Sequence, residues 1–136
     1  MEIRPLEDWE EYRACEELQR EIWGDAFAQV APAGLMKVTA RVGGVASGAF
    51  EEDGRLAGFV YGITGRDEDG RPLHWSHLLG VPPGCRARGL GLGLAEVLFT
   101  GGANPGNMPD IVVLREVTHG MPIDDYATTI RERLPD

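Results

Sequence analysis

Apolar residues recur every three or four positions near the start of the chain. Within "DWEEYRACEELQREIWG", Trp9, Tyr12, Cys15, Leu18 and Ile22 fall on one face of a helix. Asp8 stands at the N-cap position, Glu11 follows at capping-box spacing, and Gly24 supplies the stop. Ahead of this helix, Glu2 to Leu6 alternates and reads as a short strand. Pro32 suits the first turn of a second helix, "PAGLMKVTARVGG", closed by Gly43 and Gly44.

The period then changes. "VASGAFEEDGRLAGFVYGITG" holds two strand-like runs joined at Asp53-Gly54, a hairpin signal. The turn "RDEDGR" leads to a further run, "PLHWSHLLGV", and then to a glycine-rich turn that opens a helix, "GLGLAEVLFTGG". Strand, helix, helix, three strands, turn and helix make an α/β domain with a mixed sheet. From Thr100 the chain is rich in Gly, Asn and Pro. Beyond that stretch "DIVVL" reads as a buried strand and "PIDDYATTIRERL" as a helix.

A length of 136 residues suits one domain with a real core, and 43% hydrophobic with 26% charged residues is ordinary for a globular protein. No apolar run reaches the ~18 residues of a membrane span, and the acidic N-terminus lacks the pattern of a signal peptide. The expectation is a cytoplasmic protein with no membrane partner. Two cysteines and three scattered histidines form neither a disulfide framework nor a metal-ligand set, so no metal is expected. The net charge of −9 argues against nucleic acid, which demands a basic face.

Charge also marks the glycine turn. Between Gly70 and Ala95 there is no Asp or Glu, while Arg71, Arg86 and Arg88 all fall inside. A strand that runs through such a turn into a helix directs backbone N–H groups and the helix dipole at one point, where an anion such as phosphate is held. A Walker loop would need Lys followed by Ser or Thr, but Gly93, Leu94 and Ala95 stand there. Gly89, Gly91 and Gly93 also have the wrong spacing for a dinucleotide fingerprint.

What remains is Arg86-Ala87-Arg88-Gly89-Leu90-Gly91, of the form R-x-x-G-x-G, preceded by Gly80-Val81-Pro82. This resembles the acyl-CoA pyrophosphate loop of the GCN5-related N-acetyltransferases. The succession "EIRPL", "LQREIWG", "GAFEEDGRLAGFVYG", "HWSHLLGV" and the loop resembles that superfamily over about residues 1–97. The resemblance implies that the backbone of Val81 bonds the pantetheine arm, that Arg86 begins the loop, and that Arg88, Gly89, Leu90 and Gly91 surround the pyrophosphate. It implies acetyl-CoA as cosubstrate and an amine as acceptor. It also places "PLHWSHLLGV" beside the acceptor cleft, where His77 would serve as base, directly or through water. The plain alternatives are a turn that binds nothing and a packed or solvated strand histidine. No partner carboxylate for His77 is visible, and Cys85 reads as incidental.

The C-terminal part departs from the superfamily, which has a further strand, a helix and two last strands. Residues 1–107 therefore read as an incomplete acetyltransferase-like domain, truncated at its C-terminus. Residues 108–136 weakly resemble the opening strand and helix of D-2-hydroxyacid dehydrogenases. Either this tail is foreign to the domain, or Asp110 to Leu114 is recruited as the fifth strand beside Leu78–Val81. An open sheet edge would favour a homodimer. The expected activity is acetyl transfer to an amine. The alternatives are an acyl-CoA-binding module without turnover and an inactive fragment.

Overall fold

The computed structural model describes residues 1–66, 68–70, 72–91, 93–94 and 112–115. Five strands form one sheet in the order of the sequence: β1 (Glu2–Pro5), β2 (Val45–Phe50), β3 (Leu56–Arg66), β4 (Pro72–Gly80) and β5 (Val112–Arg115). The first four are antiparallel neighbours, and β5 runs parallel to β4. Two helices, α1 (Trp9–Trp23) and α2 (Ala33–Arg41), pack against each other and against β2 and β3.

The N-terminus of α1 forms where the sequence places it. Asp8 is the N-cap, and its carboxylate accepts from the Glu11 N–H at 2.9 Å. Glu11 does more than close a capping box. Its carboxylate accepts from the Glu7 N–H at 2.7 Å and from both terminal nitrogens of Arg4, at 2.6 and 3.0 Å. Hydrogen bonding to Arg4 holds the Glu11 carboxyl below the usual carboxylate range. The end of β1 is thereby tied to the first turn of α1. A second carboxylate, Glu16, accepts from the Ala33 N–H at 2.8 Å and from Arg20 at 3.0 Å, joining the middle of α1 to the start of α2.

The buried face of α1 differs at two positions from the periodic reading. Tyr12, Cys15 and Leu18 are buried as expected, but Trp9 is 39% exposed. It lies at the helix edge, with the Arg13 and Lys37 charges each 5.4 Å from its ring, where an amphipathic indole keeps one side wet. The polar Gln19 is instead fully buried. Its side-chain amide spans both backbone groups of Ala31, accepting from N–H at 2.7 Å and donating to C=O at 3.0 Å. Gln19 thus gives the connection between the helices the partner that a strand would otherwise provide.

The hairpin between β2 and β3 turns at Gly54, whose φ of +86° is easy only for glycine. Glu51 and Arg55 close it, the Glu51 N–H donating to the Arg55 carbonyl at 2.8 Å. Side chains alternate across the sheet. Ala46, Phe50, Phe59, Tyr61 and Leu78 join the core under the two helices. Val45, Ala49, Ala57, Val60 and Val81 form a second core on the opposite face with Leu90 and Leu94.

The register of β5 differs from expectation. It pairs with Leu73–Ser76 at the beginning of β4, not with Leu78–Val81, and the strand is Val112–Arg115. Within β4, Tyr61 pairs with Leu78 and Gly62 with Ser76, so His77 is an extra residue, a bulge just past the last described pair with β5. The helix read in "PIDDYATTIRERL" lies outside the described residues.

Candidate acyl-CoA site at the end of the fourth strand

The last ladder pair of β4 is Phe59 with Gly80. Val81 follows and turns its side chain into the second core, where it is 8% exposed. Pro82 is extended, and Pro83–Arg88 form a short 3-10 helix. The glycine-rich turn read from the sequence is thus an ordered one. Pro83 at its start needs no N–H partner, and the Cys85 N–H donates to the Pro82 carbonyl at 2.9 Å. The backbones of Arg86 and Arg88 belong to this turn, and their side chains lie outside the described residues.

Gly89 ends the turn in the left-handed region, at φ +73° and ψ +10°. Its carbonyl accepts the N–H of Gly93 at 3.3 Å, the first i to i+4 bond of the helical stretch that begins at Leu90. The N–H groups of Leu90 and Gly91 come before that bond, so the helical ladder provides them no acceptor. Leu90 and Leu94 are buried beside Val81, Ala49 and Val60, fixing this first turn against the sheet.

The four glycines of this segment stand in different surroundings. Gly89 needs its positive φ. Gly93 lies close under β1: a Cβ there would stand 2.7 Å from Ile3 Cδ1, the tip of a side chain that could shift to admit it. Neither condition holds for Gly84 or Gly91. An added Cβ at Gly84 meets nothing within 4 Å, and one at Gly91 makes only ordinary contacts, at 3.9 Å to Leu79 and 4.0 Å to Val81. Among the described residues, nothing packs into the space that those side chains would fill.

His77 and its neighbours occupy the helix-bearing face of β4. The indole Nε1–H of Trp75 donates to Nδ1 of His77 at 3.1 Å. The His77 ring stands edge-on to Tyr61, with centroids 5.8 Å apart. The Tyr61 hydroxyl lies 2.8 Å from that of Thr39 on α2. Sequence reasoning missed the parts of Trp75 and Tyr61. The i to i+2 spacing of Trp75 and His77 on a strand was the available signal, since it places both on one face. His74 points to the other face. It is 3% exposed, and its Nδ1 lies 3.2 Å from the Thr64 hydroxyl. Its Nε2 is buried without a partner among the described residues, and burial lowers its pKa. His74 and His77 therefore do not act on one point. Val81, Leu90 and Gly91 do converge at the exit of β4, with Gly89 completing the turn.

No family model matches the chain, and no curated protein matches it. Solved structures do. An aminoglycoside acetyltransferase from an uncultured soil metagenomic sample superposes with a TM-score of 0.68 at 14% identity, covering 96% of this chain and 84% of that one. An acetyltransferase of Trypanosoma brucei gives 0.64 at 16%, covering 99% and 92%. A ribosomal-protein-alanine N-acetyltransferase of Brucella melitensis biovar Abortus 2308 gives 0.64 at 17%, with the same coverage. The fold is that of the GCN5-related N-acetyltransferases, as the resemblance in the sequence implied. At these identities the likeness is one of fold.

Proposed function

We propose that the chain transfers an acetyl group from acetyl-CoA to an amine. The observation that carries this reading is the exit of β4. There a left-handed glycine is followed by two N–H groups ahead of the helical ladder, and Gly84 and Gly91 have room for a side chain among the described residues. Backbone donors at such a point suit a pyrophosphate, and the missing side chains permit its close approach. Gly89, Leu90 and Gly91 would hold the diphosphate with the backbones of Arg86 and Arg88, and Val81 would border the pantetheine arm. The described ladder between β4 and β5 ends at Ser76, so the β4 edge from His77 to Gly80 runs on beyond it. The pantetheine arm would run along that part of β4.

Bound acetyl-CoA would supply the activated thioester. The protein's part is to position the acyl carbonyl and the amine and to exclude water between them. Calorimetric titration with acetyl-CoA tests the site. Gly89→Glu is expected to abolish binding, because it sets a carboxylate and a strained left-handed side chain where the pyrophosphate would lie. Equal affinity in that variant would refute the site. Release of CoA thiol with a panel of amines then separates transfer from binding alone.

A further inference from the structure

His77 has a fixed chemical orientation that its place on the strand does not require. It is the extra residue of the β4 bulge, and its ring is braced edge-on by Tyr61, which Thr39 holds in turn. The decisive contact is with Trp75. An indole Nε1–H is a donor only, so at 3.1 Å the facing Nδ1 must be the acceptor. A neutral imidazole that accepts at Nδ1 carries its proton on Nε2. Nε2 is not buried, and it engages no protein atom among the described residues. The ring therefore turns its lone pair inward and its N–H outward.

We infer that Trp75 locks His77 in the Nε2–H form, so that His77 meets the acceptor as a hydrogen-bond donor and recognises an amine with a carbonyl or carboxylate oxygen beside the nitrogen. The identity of the ligand rests on the acetyl-transfer reading; the tautomer does not. A base acting on an ammonium group needs its lone pair directed at that group. Here the only lone pair of the neutral ring is already engaged with Trp75. An oxygen acceptor is what an outward N–H matches. Trp75 is accordingly a positioning residue, and His77 a specificity residue.

The lock is read directly from a long-range proton–nitrogen correlation spectrum of the 15N-labelled full chain at about pH 8. His77 is assigned by the signals missing in His77→Gln. The expected result is the Nε2–H pattern alone in the wild type and a mixture of both forms in Trp75→Phe. An Nδ1–H pattern in the wild type, or no change in Trp75→Phe, overturns the inference. Kinetics then test recognition with L-alanine, L-alaninamide and n-butylamine as acceptors. His77→Ala should raise KM about tenfold for acceptors carrying the recognised oxygen, the worth of one neutral hydrogen bond. It should leave n-butylamine far less affected. The two alanine derivatives distinguish carboxylate from carbonyl. His77→Gln retains an N–H donor but no basic lone pair, so it should restore most of the loss. If His77→Gln is as damaged as His77→Ala, through kcat and equally for n-butylamine, His77 is a base and the inference falls. The spectrum needs neither CoA nor amine, so failure of the transfer reading and failure of the lock are separate results.

Discussion

Phe59 and Val60 are neighbours on β3, both almost wholly buried, and they point into differently built cores. Under the helices lie Tyr12, Met36, Phe50, Phe59 and Tyr61, with Gln19 bonded to Ala31 and Thr39 to Tyr61. On the other face the described core is Val45, Ala49, Ala57, Val60, Val81, Leu90 and Leu94, with no aromatic ring among the described residues. Glycine lets this layer lie low on the sheet: a Cβ at Gly58 would stand 3.0 Å from Leu94 Cδ1. Bulk and buried hydrogen bonds fix the helix side in one arrangement. Small aliphatic contacts set the height of the glycine turn over the end of β4. One face specifies the domain, and the other holds the proposed ligand site in place.

The most severe way to break this contrast is to truncate across it at adjacent positions. Phe59→Ala should cost about 3–5 kcal/mol, because a large ring leaves a cavity that the braced helices cannot close. Val60→Ala removes two methyl groups from a layer of small side chains and should cost about 2 kcal/mol. Denaturant midpoints measured at constant slope compare the two. Equal losses would remove the distinction between the faces.

A second test concerns the buried polar groups of the helix side. Gln19→Ala strands the N–H and C=O of Ala31, and the expected loss is about 2 kcal/mol in chemical denaturation. Gln19→Leu restores volume but not the hydrogen bonds, so it should recover little. A fully stable Gln19→Leu protein would show that the connection between α1 and α2 does not depend on that amide.

The smallest effect is a pH dependence from the opposite face. Burial lowers the pKa of His74 in the folded chain, so the folded state favours the neutral ring. The unfolded chain therefore binds the proton more readily. The contribution of His74 to stability is whole above the ordinary histidine pKa of about 6.5 and is lost as pH falls below it toward the folded value. Thermal melts at about pH 7.5 and about pH 5.5 should show a larger drop in the wild type than in His74→Gln. The same drop in both would assign the acid sensitivity elsewhere.

Local chemistry was legible in the sequence, and contacts between distant segments were not. Asp8, Gly24, Gly54 and the 83–91 turn act through residues a few positions away, so their structures follow from type and spacing. Trp9 and Gln19 exchange the burial their polarities suggest, because the exposed ring meets two cations and the buried amide finds a backbone twelve residues on. Position 19 follows Cys15 by one helical turn, so geometry permitted its burial, but its partner at Ala31 left no local trace. The bulge at His77 was invisible for a related reason. It is defined by the count of residues on β4 against β3, which exists only once the strands are paired. The register of β5 on β4 is likewise a count between distant segments, and it was missed for the same reason.

The extra residue also divides the strand into two independently readable halves. Trp75, His77 and Leu78 share the helix side, while His74 and Ser76 lie on the other. A strand without the bulge must alternate strictly, so pairing His77 with Gly62 while Leu78–Gly80 keep their register would turn residues 72–76 over. Trp75 would pass to the small-residue face and His74 and Ser76 to the helix side. Such a slip would exchange the two surfaces of half a strand without changing any residue, whereas loss of His77 would leave both surfaces as they are. A lineage that carries this domain can alter the side chains before the bulge and those after it as separate modules.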